Sequence, residues 1–148
     1  MIERARHEDI PALVALMGEF YAESDYTLDH TWAEASFQRL LHDDTFGTAW
    51  VARDKGEPAG YVVLTLRYSM EFGALAGMID DLFVRPRFRR KGAASALLTS
   101  LVDTCRKVHV AALHVEVDPG NAAATALYGK FGLRPYTVER RMLTLELA

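Results

Sequence analysis

The sequence predicts an α/β (α+β) domain built on a mixed, mostly antiparallel central sheet flanked by helices. Three observations lead there. Runs of strand formers alternate with helical apolar stripes from one end to the other. Three strand-like runs follow one another in the middle, separated by short polar breaks. No repeat, low-complexity tract or Pro/Gly/Ser linker divides the 148 residues. A chain of this length hides roughly 70% of its unfolded surface in one domain, enough for a self-sufficient core. One domain over residues 1–148 is therefore expected.

Taken in order, Met1 to Ala5 reads as a short first strand. A helix follows, with Ile10, Leu13, Val14, Met17, Phe20 and Tyr21 recurring at the 3.6-residue period and Asp9 as its N-cap. A polar, acidic link, AESDYTLDH, is expected to form a mobile loop on the substrate side. A second helix spans roughly Thr31 to His42, with Trp32, Phe37, Leu40 and Leu41 as its apolar positions. GTAWVARD and PAGYVVLTLRY, separated by KGE, form a hairpin, and AGMIDDLFV adds a third antiparallel strand. A helix from about Gly92 to Val108 places Leu97, Leu98, Leu101, Val102, Cys105 and Val108 inward. AALHVEV is a strand, AAATALYGKF a helix, and RRMLTLEL alternates as a last strand, with room for one more short strand near Tyr136.

The formal net charge is −3 and the pI about 5.9, so no broad basic surface recommends nucleic acid or an anionic membrane as partner. No run approaches the length of a membrane span, and MIERARHEDIP has no apolar signal region, so a cytoplasmic location is expected. The single cysteine, Cys105, lies on an apolar helical face and reads as a reduced core residue. His7, His30, His42, His109 and His114 show no metal-ligand spacing, and no metal is expected. His114, in a predicted strand, reads as a satisfied structural histidine.

Against this acidic background, VRPRFRRKGAASALL concentrates Arg85, Arg87, Arg89, Arg90 and Lys91 within seven positions and then turns small and apolar. Between a strand and a helix, this places unpaired helix-start amides and the helix dipole beside mobile cations, which is the chemistry of a phosphate site. Gly92, Ala93 and Ala94 leave room for a bulky ligand to approach the backbone. Neither the Walker A pattern nor the dinucleotide fingerprint is present. Charge alone leaves a solvated basic turn as an equal reading.

Spacing to later residues decides between them. Arg89 to Ala94 resembles the [QR]-x-x-G-x-[GA] acyl-CoA loop of the GNAT superfamily of N-acetyltransferases, and Val84 to Gly92 resembles the lead-in to that loop. NAAATALYGKFGL, Asn121 to Leu133, is similar to the family's N-x-x-A-x-x-L-Y segment. Gly92 and Asn121 are 29 positions apart, room for one helix and one strand. The motifs cover about Met78 to Leu133. Arg90 stands where the family often has glycine, and Ala94 replaces the second glycine.

The resemblance implies a sheet whose fourth and fifth strands splay apart, with acetyl-CoA as cosubstrate. Its pyrophosphate would lie on the amides of Arg89, Arg90, Lys91, Gly92, Ala93 and Ala94, and Arg85, Arg87 or Lys91 would meet the outer phosphates. The pantetheine arm would pair with the backbone of Leu82, Phe83 and Val84. Asn121 would both cap its helix and hydrogen-bond the cofactor. Tyr128 matches the family's general acid for the leaving thiolate. An amine of ordinary pKa near 10.4 is neutral only about one part in a thousand at neutral pH, so a base is needed. Diamine acetyltransferases of the family have a similar acidic pair; on that resemblance Asp80 is the expected base, directly or through water, and Asp81 binds substrate or holds structure.

Glu19, Glu23, Asp25, Asp29 and Glu71 fall in segments assigned to the acceptor side, which suggests a cationic small-molecule or peptidyl amine. Two functions stay open: an N-acetyltransferase, or a non-catalytic acyl-CoA-binding regulatory module. Tyr128 and the acidic pair favour the enzyme. A homodimer is common in the family, but the residues reveal no interface.

Overall fold

The turn that joins the first two long strands shows how closely local sequence dictates this fold. In the computed structural model, which describes residues 1–136 and 140–148, Lys55 and Gly56 both have positive φ, 51° and 83°. Two such residues in succession make the tight turn whose twist matches paired strands. They join β2 (Gly47–Asp54) to β3 (Glu57–Ser69), in register at Asp54 and Glu57. β4 (Ala74–Val84) returns antiparallel to β3, and β1 (Ile2–Arg4) pairs with the far edge of β2. β5 (Ala112–Val115) runs parallel to β4, so the order is β1-β2-β3-β4-β5. A parallel neighbour needs a crossover, and the helix before β5 supplies it.

The predicted class, a mixed and mostly antiparallel sheet with helices around it, is what the chain forms. Two units divide it, Met1–Glu116 and Val117–Ala148. In the first, α1 (Ile10–Ala22) and α2 (His30–His42) cover one face of the sheet. Leu13, Leu16, Met17, Ala33 and Phe37 pack there with Ala49, Val51, Tyr61, Val63 and Phe83. α3 (Ala93–Lys107) lies against β2, β3 and β4 and buries Leu97, Leu98, Leu101 and Cys105. Each fully buried leucine contributes about 1.5–3 kcal/mol through removal from water, so the sheet is held from both sides.

Two local expectations fail for identifiable reasons. Asp9 stands at the N-cap of α1, but its carboxylate accepts from the Arg6 amide at 2.8 Å and from Arg53 at 2.7 Å rather than from the helix. A buried carboxylate takes the stronger charged partner. The genuine side-chain cap belongs to α2, where Asp29 accepts from the Trp32 amide at 3.1 Å. Val108, expected inward, is half exposed because α3 ends at Lys107.

In the second unit, α4 (Ala122–Lys130) begins at Asn121, whose Oδ1 accepts from the Ala124 amide at 3.0 Å. It closes at Gly132, whose φ of 88° and amide bond to Gly129 form a left-handed C-terminal cap. RRMLTLEL forms no strand: residues 140–148 have no regular secondary structure, and Leu143, Leu145 and Leu147 are exposed. Alternation describes the two faces of a strand, but only a neighbouring ladder makes one. Tyr136 lies in no strand, and residues 137–139, where the additional strand was expected, fall outside the described residues. No helix of the described residues is long and apolar enough to cross a membrane.

Candidate active site

The site begins where β4 loses one neighbour. Its pairing with β5 ends at Ile79 and Val115, whereas its pairing with β3 runs on to Gly60 and Val84. Residues 80–84 therefore have a strand on one side and, among the described residues, no ladder partner on the other. Arg85 donates its amide to Ala59 at 2.8 Å, so residue 85 faces β3. By strand alternation, Val84 and Leu82 turn their main-chain groups to the open side, with Phe83 facing β3 between them. This is the expected splay.

A bulge lies at the same point. Leu64 pairs with Ile79 and Val63 with Asp81, leaving Asp80 as the extra residue. Adjacent residues of an unbroken strand point to opposite faces, and a bulge re-aims the side chains around it. Asp80 is exposed and Asp81 half-buried.

Asp81 is embedded in phenols. The Tyr61 hydroxyl donates to Asp81 Oδ2 at 2.8 Å, and the Tyr21 phenol of α1 faces the same carboxylate. Burial pushes the Asp81 carboxyl up to about 6, with the Asp80 charge adding to the rise and the phenols opposing it. In return, burial and Asp81 raise Tyr21 to about 12 and push Tyr61 above the ordinary phenol range. Ring packing fixes these phenols: Tyr21 stands edge-on to Phe20 and Tyr26 at 5.6 Å, and Phe20 to Tyr61 at 6.5 Å.

Beyond Val84 the basic loop is largely self-neutralised. Arg85 forms a forked pair with Glu19 and donates to the Pro58 carbonyl at 2.8 Å. Arg87 pairs with Glu57, and Arg89 with Glu23 at 2.8 Å. Arg85, Arg87 or Lys91 were expected to meet phosphates, and Glu19 and Glu23 an acceptor amine; here Arg85 and Arg87 hold Glu19 and Glu57, and Glu23 holds Arg89. Arg89 Nε also caps the Val84 carbonyl at 2.8 Å. Arg90 and Lys91 make no ion pair among the described residues.

The loop's backbone supplies what its charges do not. Arg90 and Gly92 adopt left-handed φ of 64° and 84°, and such alternation turns successive amides toward one side. Gly92 caps α3, and its carbonyl receives the first helical bond from Ala96. A Cβ built on Gly92 meets nothing within 4 Å, so the space above the helix start is open.

Asn121 and Tyr128 belong to the second unit. Asn121 caps α4 as predicted. Tyr128 is buried, and burial raises its phenol above the ordinary value, which keeps it protonated at neutral pH. His114 departs from expectation: its Nε2 is buried without a hydrogen-bond partner among the described residues, with the Phe72 ring at 6.2 Å. No group of three His, Cys, Asp or Glu side chains fit to hold a metal ion occurs among the described residues. Sequence reasoning missed Tyr21 and Tyr61. Both sit at apolar positions of regular elements, where a tyrosine looks like core.

Comparison with known proteins bears on all of this. Residues 10–133 match the model of the acetyltransferase (GNAT) family. The chain is 42% identical over 60 residues to the ribosomal protein bS18-alanine N-acetyltransferase of Escherichia coli (strain K12), a match spanning 40% of each protein. It is 28% identical over 134 residues, 88% of this chain and 87% of the relative, to the uncharacterized N-acetyltransferase YhfO of Bacillus subtilis (strain 168). An integron cassette protein from the mobile metagenome of Cole Harbour Salt Marsh superposes with a TM-score of 0.90 at 37% identity, covering 99% of this chain and 90% of that one.

Proposed function

This chain belongs to the acetyltransferase (GNAT) family and is an N-acetyltransferase, and on that premise we propose that it acetylates a primary amine of a small molecule or peptide by direct transfer from acetyl-CoA. Both units act as one functional domain in this reading, since the family match crosses their boundary. The observation that carries it is the coincidence of three features on β4 and the segment after it. These are an open edge at Leu82 and Val84, an acidic bulge at Asp80, and a left-handed amide turn opening α3.

The residues fit acetyl-CoA. The empty space over Gly92 and the unpaired amides at the start of α3 suit a pyrophosphate, with Arg89 to Ala94 as the cradle and Lys91 and Arg90 as the available cations. The open side of Leu82 to Val84 suits the amide-bearing arm, and Asn121 contributes a further hydrogen bond. Bound acetyl-CoA supplies a thioester whose acetyl group is already activated.

The chain's own groups handle the protons. Asp80 accepts the proton lost by the acceptor ammonium, directly or through water, with Asp81 beside it. Tyr128 donates its phenolic proton to the departing thiolate and is reprotonated from solvent. The relatives' named activity on ribosomal protein alanine places a peptide with N-terminal alanine in the acceptor panel, beside polyamines, aminoglycosides and lysine. The test is thiol release from acetyl-CoA across that panel, with coenzyme binding measured in parallel. Release with at least one amine is expected. Binding without release from any would leave the non-catalytic module as the better reading.

A further inference from the structure

We infer that Tyr61 and Tyr21 are positioning residues of the acetyl transfer, acting through Asp81: their phenols fix its carboxylate beside Asp80, so that the two carboxylates take up the acceptor's proton as one unit. This rests on the acidic pair being the proton acceptor. The geometry is that of an anchored anion. Tyr61 is fully buried on β3, opposite Phe83, and its hydroxyl reaches Asp81 Oδ2 at 2.8 Å. Tyr21 approaches from α1, held edge-on between Phe20 and Tyr26.

Asp81 thus cannot swing freely with the bulged residue next to it. Phe20 stacks on Phe83 at 5.4 Å, so the ring cluster bears on the β4 segment that holds both acids. Groups facing the carboxylate are Tyr61 from β3, Tyr21 from α1 and Asp80 from β4 itself, with Tyr26 behind Tyr21. A phenol donating to the ionised form favours that form; removing it makes Asp81 hold its proton to higher pH.

The proton balance is simple. An N–H bond of the acceptor ammonium breaks, its electron pair stays on nitrogen for attack, and the proton bonds to a carboxylate oxygen of the pair. An ionised Asp81 is needed before each turnover, so activity falls as pH drops through its raised value.

The test compares wild type, Tyr61→Phe, Tyr21→Phe, Asp81→Asn and the double variant Y61F/D81N, measuring kcat/KM from about pH 5 to about 9. The acidic limb of each phenylalanine variant is expected to move up by about one unit, roughly a tenfold loss on the limb that vanishes at high pH. Adding Tyr61→Phe to Asp81→Asn should move nothing further. An unmoved limb, or an equal loss at every pH, would overturn the proposal. Should Tyr61→Phe not fold, the half-buried Tyr21→Phe carries the test.

A readout independent of turnover keeps this separate from the proposed reaction. In urea unfolding followed against pH, the Asp81 titration should shift upward in Tyr61→Phe even if no amine is ever acetylated. An unshifted unfolding titration overturns the phenol–carboxylate link by itself.

Discussion

Asp81 holds its proton up to about pH 6, against an ordinary 3.8, mainly because it is buried. A carboxyl raised in the folded state adds stability below its unfolded pKa and loses it as pH rises through the folded value. Between about pH 4 and 7 that loss amounts to at most about 3 kcal/mol. Asp81→Asn removes the titration and keeps an acceptor for Tyr61. Its stability relative to wild type should therefore climb across that window, as urea unfolding at the two pH values would reveal; a constant difference would contradict the burial cause. For Tyr128→Phe, turnover should fall on the order of 10²–10⁴ with the circular dichroism spectrum retained. Unchanged turnover would remove Tyr128 from the chemistry. The acids and Tyr128 draw attention in the sequence by residue type and motif position, and their roles are what the substitutions test. Tyr61 and Tyr21 do not stand out there, since a hydroxyl's partner is set by which strands meet.

At the level of elements, the loop that opens α3 combines a left-handed glycine with empty space above it. Gly92→Ala meets no neighbour, so its folding cost is the left-handed strain alone, about 1–2 kcal/mol. In the proposed phosphate site its new methyl group would obstruct the ligand, so KM for acetyl-CoA should rise well beyond what a modest drop in melting temperature explains. Parallel changes in both would point to a merely structural loop. The same scale shows where pattern reading succeeds. The β2–β3 hairpin was written in the strand formers around KGE, and α1 in its apolar spacing. The β4 bulge had no signature in IDDLFV, because it arises from a register offset with β3. RRMLTLEL carried the alternation of a strand yet forms none among the described residues, so periodicity alone overcalled it. Glu19 and Glu23, one helical turn apart, were placed on the acceptor side; their ion-pair partners, Arg85 and Arg89, lie in the sequence-distant loop after β4.

On the scale of the whole molecule, the first unit is one sheet held between two helical layers, and its two faces should report independently. Ile10 is buried at the start of α1, and Ile79 lies opposite Leu64, away from the Tyr61–Val63 face. Ile10→Val and Ile79→Val should each cost about 0.5–1.5 kcal/mol. Together they should add to within about 0.5 kcal/mol, because the layers sit on opposite sides of the sheet. Coupling in urea unfolding larger than that would mean the sheet transmits strain between its faces. The layered fold itself was predictable from element order; the division at Glu116 was not, because no change in composition marks it.

The glutamate partners of Arg85, Arg87 and Arg89 carry one more implication. A polyanion approaching from a distance meets a field from which three of the five cations have already been subtracted. Coenzyme capture should therefore depend only weakly on electrolyte, resting on short-range main-chain dipoles that counterions scarcely screen.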